Sequence, residues 1–113
     1  MENELQKRIL IIDGAMGTML QNEDLSAEDF GGEAYEGCNE NLVLTRPDVI
    51  EKIHREYLAA GADIICTNTF GSTPLVLNEY DLGSKADEIN TAAVKIAKKV
   101  AEEFSTPEWP RFV

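Results

Sequence analysis

Arg8-Ile9-Leu10-Ile11-Ile12-Asp13-Gly14-Ala15-Met16-Gly17-Thr18 is the stretch on which the fold turns. The aliphatic run at residues 9–12 is apolar on both faces of an extended chain, the pattern of a strand covered on both sides in a parallel sheet. A strand is therefore expected over 8–13, closed by Asp13-Gly14, with a turn after it and a short helix from 18 to 21. Outward from there the unit recurs. Asp63-Ile64-Ile65-Cys66-Thr67 reads as a second buried strand, followed by the polar loop Asn68-Thr69-Phe70-Gly71, and Arg111-Phe112-Val113 as the opening of a third.

Helical patterns lie between them. Thr45 and Asp48 look like a capping arrangement, Pro47 suits a first turn, and Val49, Ile50, Ile53, Tyr57 and Leu58 repeat at helical spacing up to Gly61. Thr73-Pro74 starts a further helix that ends by Gly83. From Ser84, the stripe Ile89, Ala93, Ile96, Ala97, Val100 and Phe104 marks a longer one. Alternating strands and helices imply an α/β protein with a parallel sheet, and a strand that opens at the last residue implies a chain truncated there. Residues 22–41 fit neither pattern; with Leu25, Phe30 and Tyr35 as isolated apolar anchors, they form a long loop of the kind that is functional or mobile.

The 113 residues carry 21 Asp and Glu against 10 Lys and Arg, a net charge of −11. Nucleic acid and anionic membrane both require a basic face, so neither is expected as a partner. No apolar run is long enough to span a bilayer, and the start lacks a signal-peptide pattern, which points to the cytoplasm. Two cysteines, Cys38 and Cys66, and one histidine, His54, are too few and too scattered for a zinc site. His54 reads as a boundary residue packed on a loop, Cys66 as a small core residue, Cys38 as a structural thiol and Trp109 as a loop anchor.

Two polar loops, at 13–18 and 67–71, follow successive strands, where parallel α/β proteins bind ligands. Glycine at 14 and 17 lets backbone N–H groups approach an anion, and Asp13 beside them offers a carboxylate to a cation. The spacing matches neither G-x-G-x-x-G nor a P-loop. On the residues alone the loops are tight turns or a ligand site, and a phosphate-binding α/β enzyme and a small domain that binds a partner through its 22–41 loop are both open readings.

The ordered set Arg8-Ile9-Leu10-Ile11-Ile12-Asp13-Gly14-Ala15-Met16-Gly17-Thr18-Met19-Leu20-Gln21, Tyr35-Glu36-Gly37-Cys38-Asn39-Glu40-Asn41-Leu42, Thr45-Arg46-Pro47-Asp48, Ala60-Gly61-Ala62-Asp63-Ile64-Ile65 and Thr67-Asn68-Thr69-Phe70 resembles the homocysteine-binding domain of the cobalamin-dependent methionine synthase family. Betaine- and S-methylmethionine-dependent homocysteine methyltransferases share the outline. The resemblance implies that residues 1–113 are the N-terminal portion of a (β/α)8 TIM barrel, cut at the start of its third strand. It implies methyl transfer from methylcobalamin, itself methylated by 5-methyltetrahydrofolate, to the thiol of homocysteine, giving methionine. Zinc held by three cysteines would bind that thiol, and cobalamin- and folate-binding modules would complete the protein. Asp13 would meet the ammonium of homocysteine, Gly14 and Ala15 its carboxylate, and Thr69 and Phe70 would form the second wall. Cys38 and Cys66 match none of the zinc ligands. A barrel of this type needs about 250 residues, so the resemblance implies a piece that is inactive alone, holds no zinc or cobalamin, and self-associates through exposed sheet edges.

Overall fold

A computed structural model describes residues 1–113. Six α-helices appear in order: α1 (Glu2–Leu5), α2 (Met16–Gln21), α3 (Leu42–Thr45), α4 (Pro47–Ala59), α5 (Pro74–Leu77) and α6 (Ala86–Phe104), with single 3-10 turns at Glu33–Tyr35, Asn39–Asn41, Asn78–Tyr80 and Gly83–Lys85. Helices α4 and α6 pack along each other, and α3 lies against both. Ile50, Ile53, Leu58, Ile89, Ala93 and Val100 are fully buried between them. The molecule is a slab of 47 × 27 × 19 Å.

The helix ends follow local chemistry. Pro47 begins α4, and Gly61, at φ +110°, turns the chain after it. The expected Thr45–Asp48 cap does not form: the Thr45 hydroxyl donates to the Asn41 carbonyl at 3.3 Å, and Asp48 pairs with Arg46 at 2.9 Å. Thr73 does cap α5, its hydroxyl accepting from the Val76 N–H at 3.3 Å. The 22–41 loop is pinned rather than loose. Phe30 and Cys38 are buried, Asn41 Nδ2 donates to the Phe30 carbonyl at 2.8 Å, and Asp29 joins Ser26 to Arg46.

The expected α/β architecture, the opening portion of a (β/α)8 barrel cut at its third strand, is not found. About 55% of the chain is helical and there is no sheet. The extended segments meet at only two isolated parallel bridges, Ile12 with Ile64 and Ile64 with Phe112. Aspartates stop the first of these pairings from growing. The Ile11 N–H goes to Asp63 Oδ2 at 2.9 Å and the Cys66 N–H to Asp13 Oδ2 at 3.0 Å, so both donors flanking the first bridge are taken by side chains rather than by the opposite backbone. The aliphatic run is not enclosed either: Ile9 is 88% exposed, Ile11 60% and Ile12 58%, whereas Ile65 is fully buried. There are accordingly no sheet edges through which copies could pair.

Asp63 fixes the register of the three segments. Its buried carboxylate accepts from the Ile11 N–H, from Arg8 Nη1 at 2.7 Å and from the Trp109 indole at 2.6 Å. Its own backbone donates to the Ile11 carbonyl and accepts from the Phe112 N–H, each at 2.8 Å. Arg111 stacks on Trp109, 3.6 Å from the ring centre, and donates to the Leu58 and Ala62 carbonyls. Burial pushes the Asp63 carboxyl up, but the Ile11 N–H, the Trp109 indole and the Arg8 guanidinium outweigh it and hold the group at about 2. A depressed folded-state pKa contributes stability above the unfolded value of about 3.9 and loses it as pH falls toward 2. Asp63→Asn should cost about 1.5–3 kcal/mol at neutral pH, the range for hydrogen bonds to a charged group. Urea titrations should show the wild type weakening between about pH 4 and 2, with a markedly flatter profile for the variant. Parallel profiles would remove Asp63 from this role.

Candidate functional site

On the far side of the first bridge from the Asp63 carboxylate, residues 13–17 and 64–70 enclose an open cleft of about 690 Å³. All five residues expected from the sequence line it together: Asp13, Gly14, Ala15, Thr69 and Phe70. The bridge with Ile64 places Asp13, whose N–H donates to the Ile64 carbonyl at 2.9 Å. Asp13 Oδ2 accepts from Cys66, while Oδ1 points into the protein and has no partner. The N–H groups of Gly14 and Ala15 make no backbone hydrogen bond. One carboxylate thus stands beside two free backbone donors on consecutive residues. That arrangement suits a ligand carrying an ammonium and a carboxylate on one carbon.

The 67–71 loop is held from the side by the 3-10 turn at Asn39–Asn41. Asn68 Nδ2 donates to the Asn39 carbonyl, and the Gly71 N–H donates to Glu40 Oε1, both at 2.8 Å. The Thr67 and Thr69 hydroxyls share a hydrogen bond of 2.7 Å. Phe70 projects freely, 104% exposed, at the rim. From below, the Tyr57 hydroxyl donates to the Ala15 carbonyl at 2.9 Å and closes over Gly14.

Asn39, Glu40 and Cys66 also line the cleft without having been singled out as site residues. The Tyr35–Leu42 stretch carried a resemblance, yet nothing in its spacing shows that it meets a loop 29 to 31 residues on. Cys66, expected in the core, is exposed and lines the cleft, with its backbone N–H bonded to the Asp13 carboxylate. Burial and the adjacent Asp13 carboxylate push its thiol pKa up, which disfavours the thiolate. Cys38 is buried with its thiol pushed up chiefly by burial. His54 is fully buried rather than at a boundary. Cys38, Cys66 and His54 do not converge, and no group of three or more His, Cys, Asp or Glu is placed to hold a metal. These residues do not fit a zinc centre, and no chemical step is assigned to zinc within this chain.

Residues 10–113 match the homocysteine S-methyltransferase family, and the chain belongs to it. Among characterised relatives, the methionine synthases of Mycobacterium leprae and Mycobacterium tuberculosis are 48% and 47% identical over 109 residues, 96% of this chain. The chain spans 9% of the length of each. The oxidised form of the homocysteine methyltransferase MmuM from Escherichia coli superposes with a TM-score of 0.72 at 25% identity, covering 88% of this chain and 33% of that one. Its metallated form gives 0.72 at 23% identity, a likeness of fold, over 90% and 34%.

Gly14 is the tightest point of the site. A Cβ there would lie 2.9 Å from the Tyr57 hydroxyl and 3.1 Å from its ring. Gly14→Ala should destabilise the protein by about 1–3 kcal/mol by forcing Tyr57 out of place. Tyr57→Phe, which loses only the bond to Ala15, should cost about 0.5–1.5 kcal/mol. Because both changes spend the same contact, the double variant should be more stable than the sum of the two costs implies. Strict additivity in chemical denaturation would mean that the two residues do not constrain each other.

Proposed function

We propose that the cleft binds homocysteine and that the protein is a methionine synthase, transferring a methyl group from methylcobalamin to the homocysteine thiol. The supporting observation is the Asp13 carboxylate beside the unused N–H groups of Gly14 and Ala15. Asp13 takes the ammonium, the two N–H groups take the carboxylate, and Thr69 and Phe70 form the opposite wall. Residues 1–113 are thus the part of the homocysteine-binding unit that holds the amino-acid end. Fixing both charged groups orients the ligand, which lowers the entropic share of the barrier for a thiol presented to its methyl donor. The donor in this reading is methylcobalamin, methylated in turn by 5-methyltetrahydrofolate on cobalamin- and folate-binding modules; its support is the sequence resemblance together with the likeness to methionine synthases. Zinc, which favours a thiolate at neutral pH, would be held by residues outside this chain, and the 113 residues alone would not turn over. No helix is long and apolar enough to cross a membrane, and we place the protein in the cytoplasm.

Copies of the isolated chain should also associate through the uncovered Ile9, Ile11 and Ile12. The net charge of −11 opposes this, but its repulsion is screened beyond about 8 Å at physiological salt, whereas apolar contact is not. Sedimentation at micromolar concentration should show mass rising with concentration; a monomer throughout would show that the run stays solvated.

Asp13→Ala should weaken homocysteine binding ten- to a hundredfold in the protein as its gene encodes it, the equivalent of about 1.5–3 kcal/mol for a charge-assisted bond. Calorimetric titration, with circular dichroism to confirm the fold, measures it. Unchanged affinity in a folded variant would remove Asp13 from the site.

A further inference from the structure

His54 is the histidine of the chain, on α4, fully buried, and neither ring nitrogen has a hydrogen-bond partner. Buried polar atoms are normally satisfied, and each exception asks for a reason. Tyr57 lies one turn further along α4, touches Gly14 and bonds Ala15, so this face of the helix lies against residues 13–15. Asp13 Oδ1, buried and likewise without a partner, points away from the cleft, while Oδ2 meets Cys66 at its surface. An unused acceptor and an unused imidazole therefore occupy the same seam beneath the cleft floor.

We propose that His54 is a positioning residue for Asp13, its N–H directed to Oδ1 through one bridging water, so that Oδ2 stays turned toward the ligand. The proposal rests on the reading of the cleft as an amino-acid site. A carboxylate has about four lone-pair positions. With Oδ1 anchored from below and Oδ2 held by the Cys66 N–H, its plane is set before the ammonium arrives, and no ordering cost falls on binding. Burial pushes the His54 imidazole down, with the Asp13 charge opposing. The ring is therefore neutral near pH 7, able to donate from one nitrogen without carrying a charge that would compete with the ligand's ammonium for Asp13.

The test compares homocysteine with 4-mercaptobutanoate, which lacks the amino group, in the protein as its gene encodes it. His54→Phe keeps a ring of similar size and removes the N–H. It should weaken homocysteine about tenfold, leave 4-mercaptobutanoate within about twofold, and add little on top of Asp13→Ala. His54→Asn, which restores a donor, should recover part of the loss. Equal weakening of both ligands would mean that His54 only supports the packing, and no weakening of either would mean that it does not position Asp13; both overturn the proposal. Should His54→Phe not fold, the ring ¹⁵N signals of His54 in the wild type decide. They should shift with homocysteine and not with 4-mercaptobutanoate, and a signal indifferent to both, in a protein that binds homocysteine, overturns the proposal. A wild type that fails to discriminate between the two ligands sinks the amino-acid reading itself, and the role of His54 with it.

Discussion

A carboxylate withdrawn from water must be given hydrogen bonds or a counter-charge in return, and Asp63 receives both. A backbone N–H from the first extended segment, an indole N–H from the turn before the third, and a guanidinium from the N-terminal region converge on one side chain of the middle segment. None of those donors can slide by a residue without leaving the buried charge short of partners. This interaction, rather than a ladder of backbone bonds, sets which residues stand opposite one another at the bridges. It thereby sets where Asp13 and Cys66 emerge at the other end. Two aspartates thus bracket the same short pairing: one is buried and structural, and the other stands at the cleft with one oxygen in the interior.

The chemistry of the cleft follows from that bracketing. Asp13 is held by its own backbone at Ile64 and by Cys66 through its side chain, so its position is over-determined before any ligand is present. The next two residues have nothing to donate to. A carboxylate beside two unpaired N–H groups matches an α-amino acid better than a phosphate, which would have no use for the carboxylate. The loop opposite is built separately, by Glu40 and Asn68 across the 3-10 turn, so the two walls are braced by different parts of the chain.

What could be read from the sequence divides along physical lines. Helices α4 and α6 were legible because a stripe at helical spacing has one economical solution. Asp13, Gly14 and the polar loop at 67–71 were legible as turns that follow extended segments, while the choice of Ala15, Thr69 and Phe70 as lining residues came from the resemblance rather than from turn chemistry. The sheet was misread. Periodicity registers that residues 9–12 are aliphatic, but not that Asp63 and Asp13 divert the N–H groups a ladder would need. That diversion depends on side chains more than fifty positions away. The same distance hid Glu40, and it hid the burial of His54, since a lone histidine on a helix gives no sign of what lies over it. The Thr45–Asp48 motif failed for a local reason: Arg46 competes for Asp48, and Asn41 for Thr45.

The contacts of the first segment also have a kinetic side. Helices α3, α4 and α6 share a buried apolar core, whereas residues 8–13 hold on to the middle segment, some fifty residues downstream, through one isolated bridge and a few side-chain bonds, with the aliphatic run largely exposed. Closing so long a loop must be compensated by contacts already in place. A helical body that had already gathered its core would offer Asp63 and the 64–66 backbone as a ready-made berth for residues 8–13. The order in which a protein gathers its segments is broadly the reverse of the order in which it lets them go at low cost. The well-buried α4–α6 seam is where the slowest amide exchange is expected, and the sparsely held Asp13 wall of the cleft is where opening costs least, so that a bound amino acid would act there as a clasp.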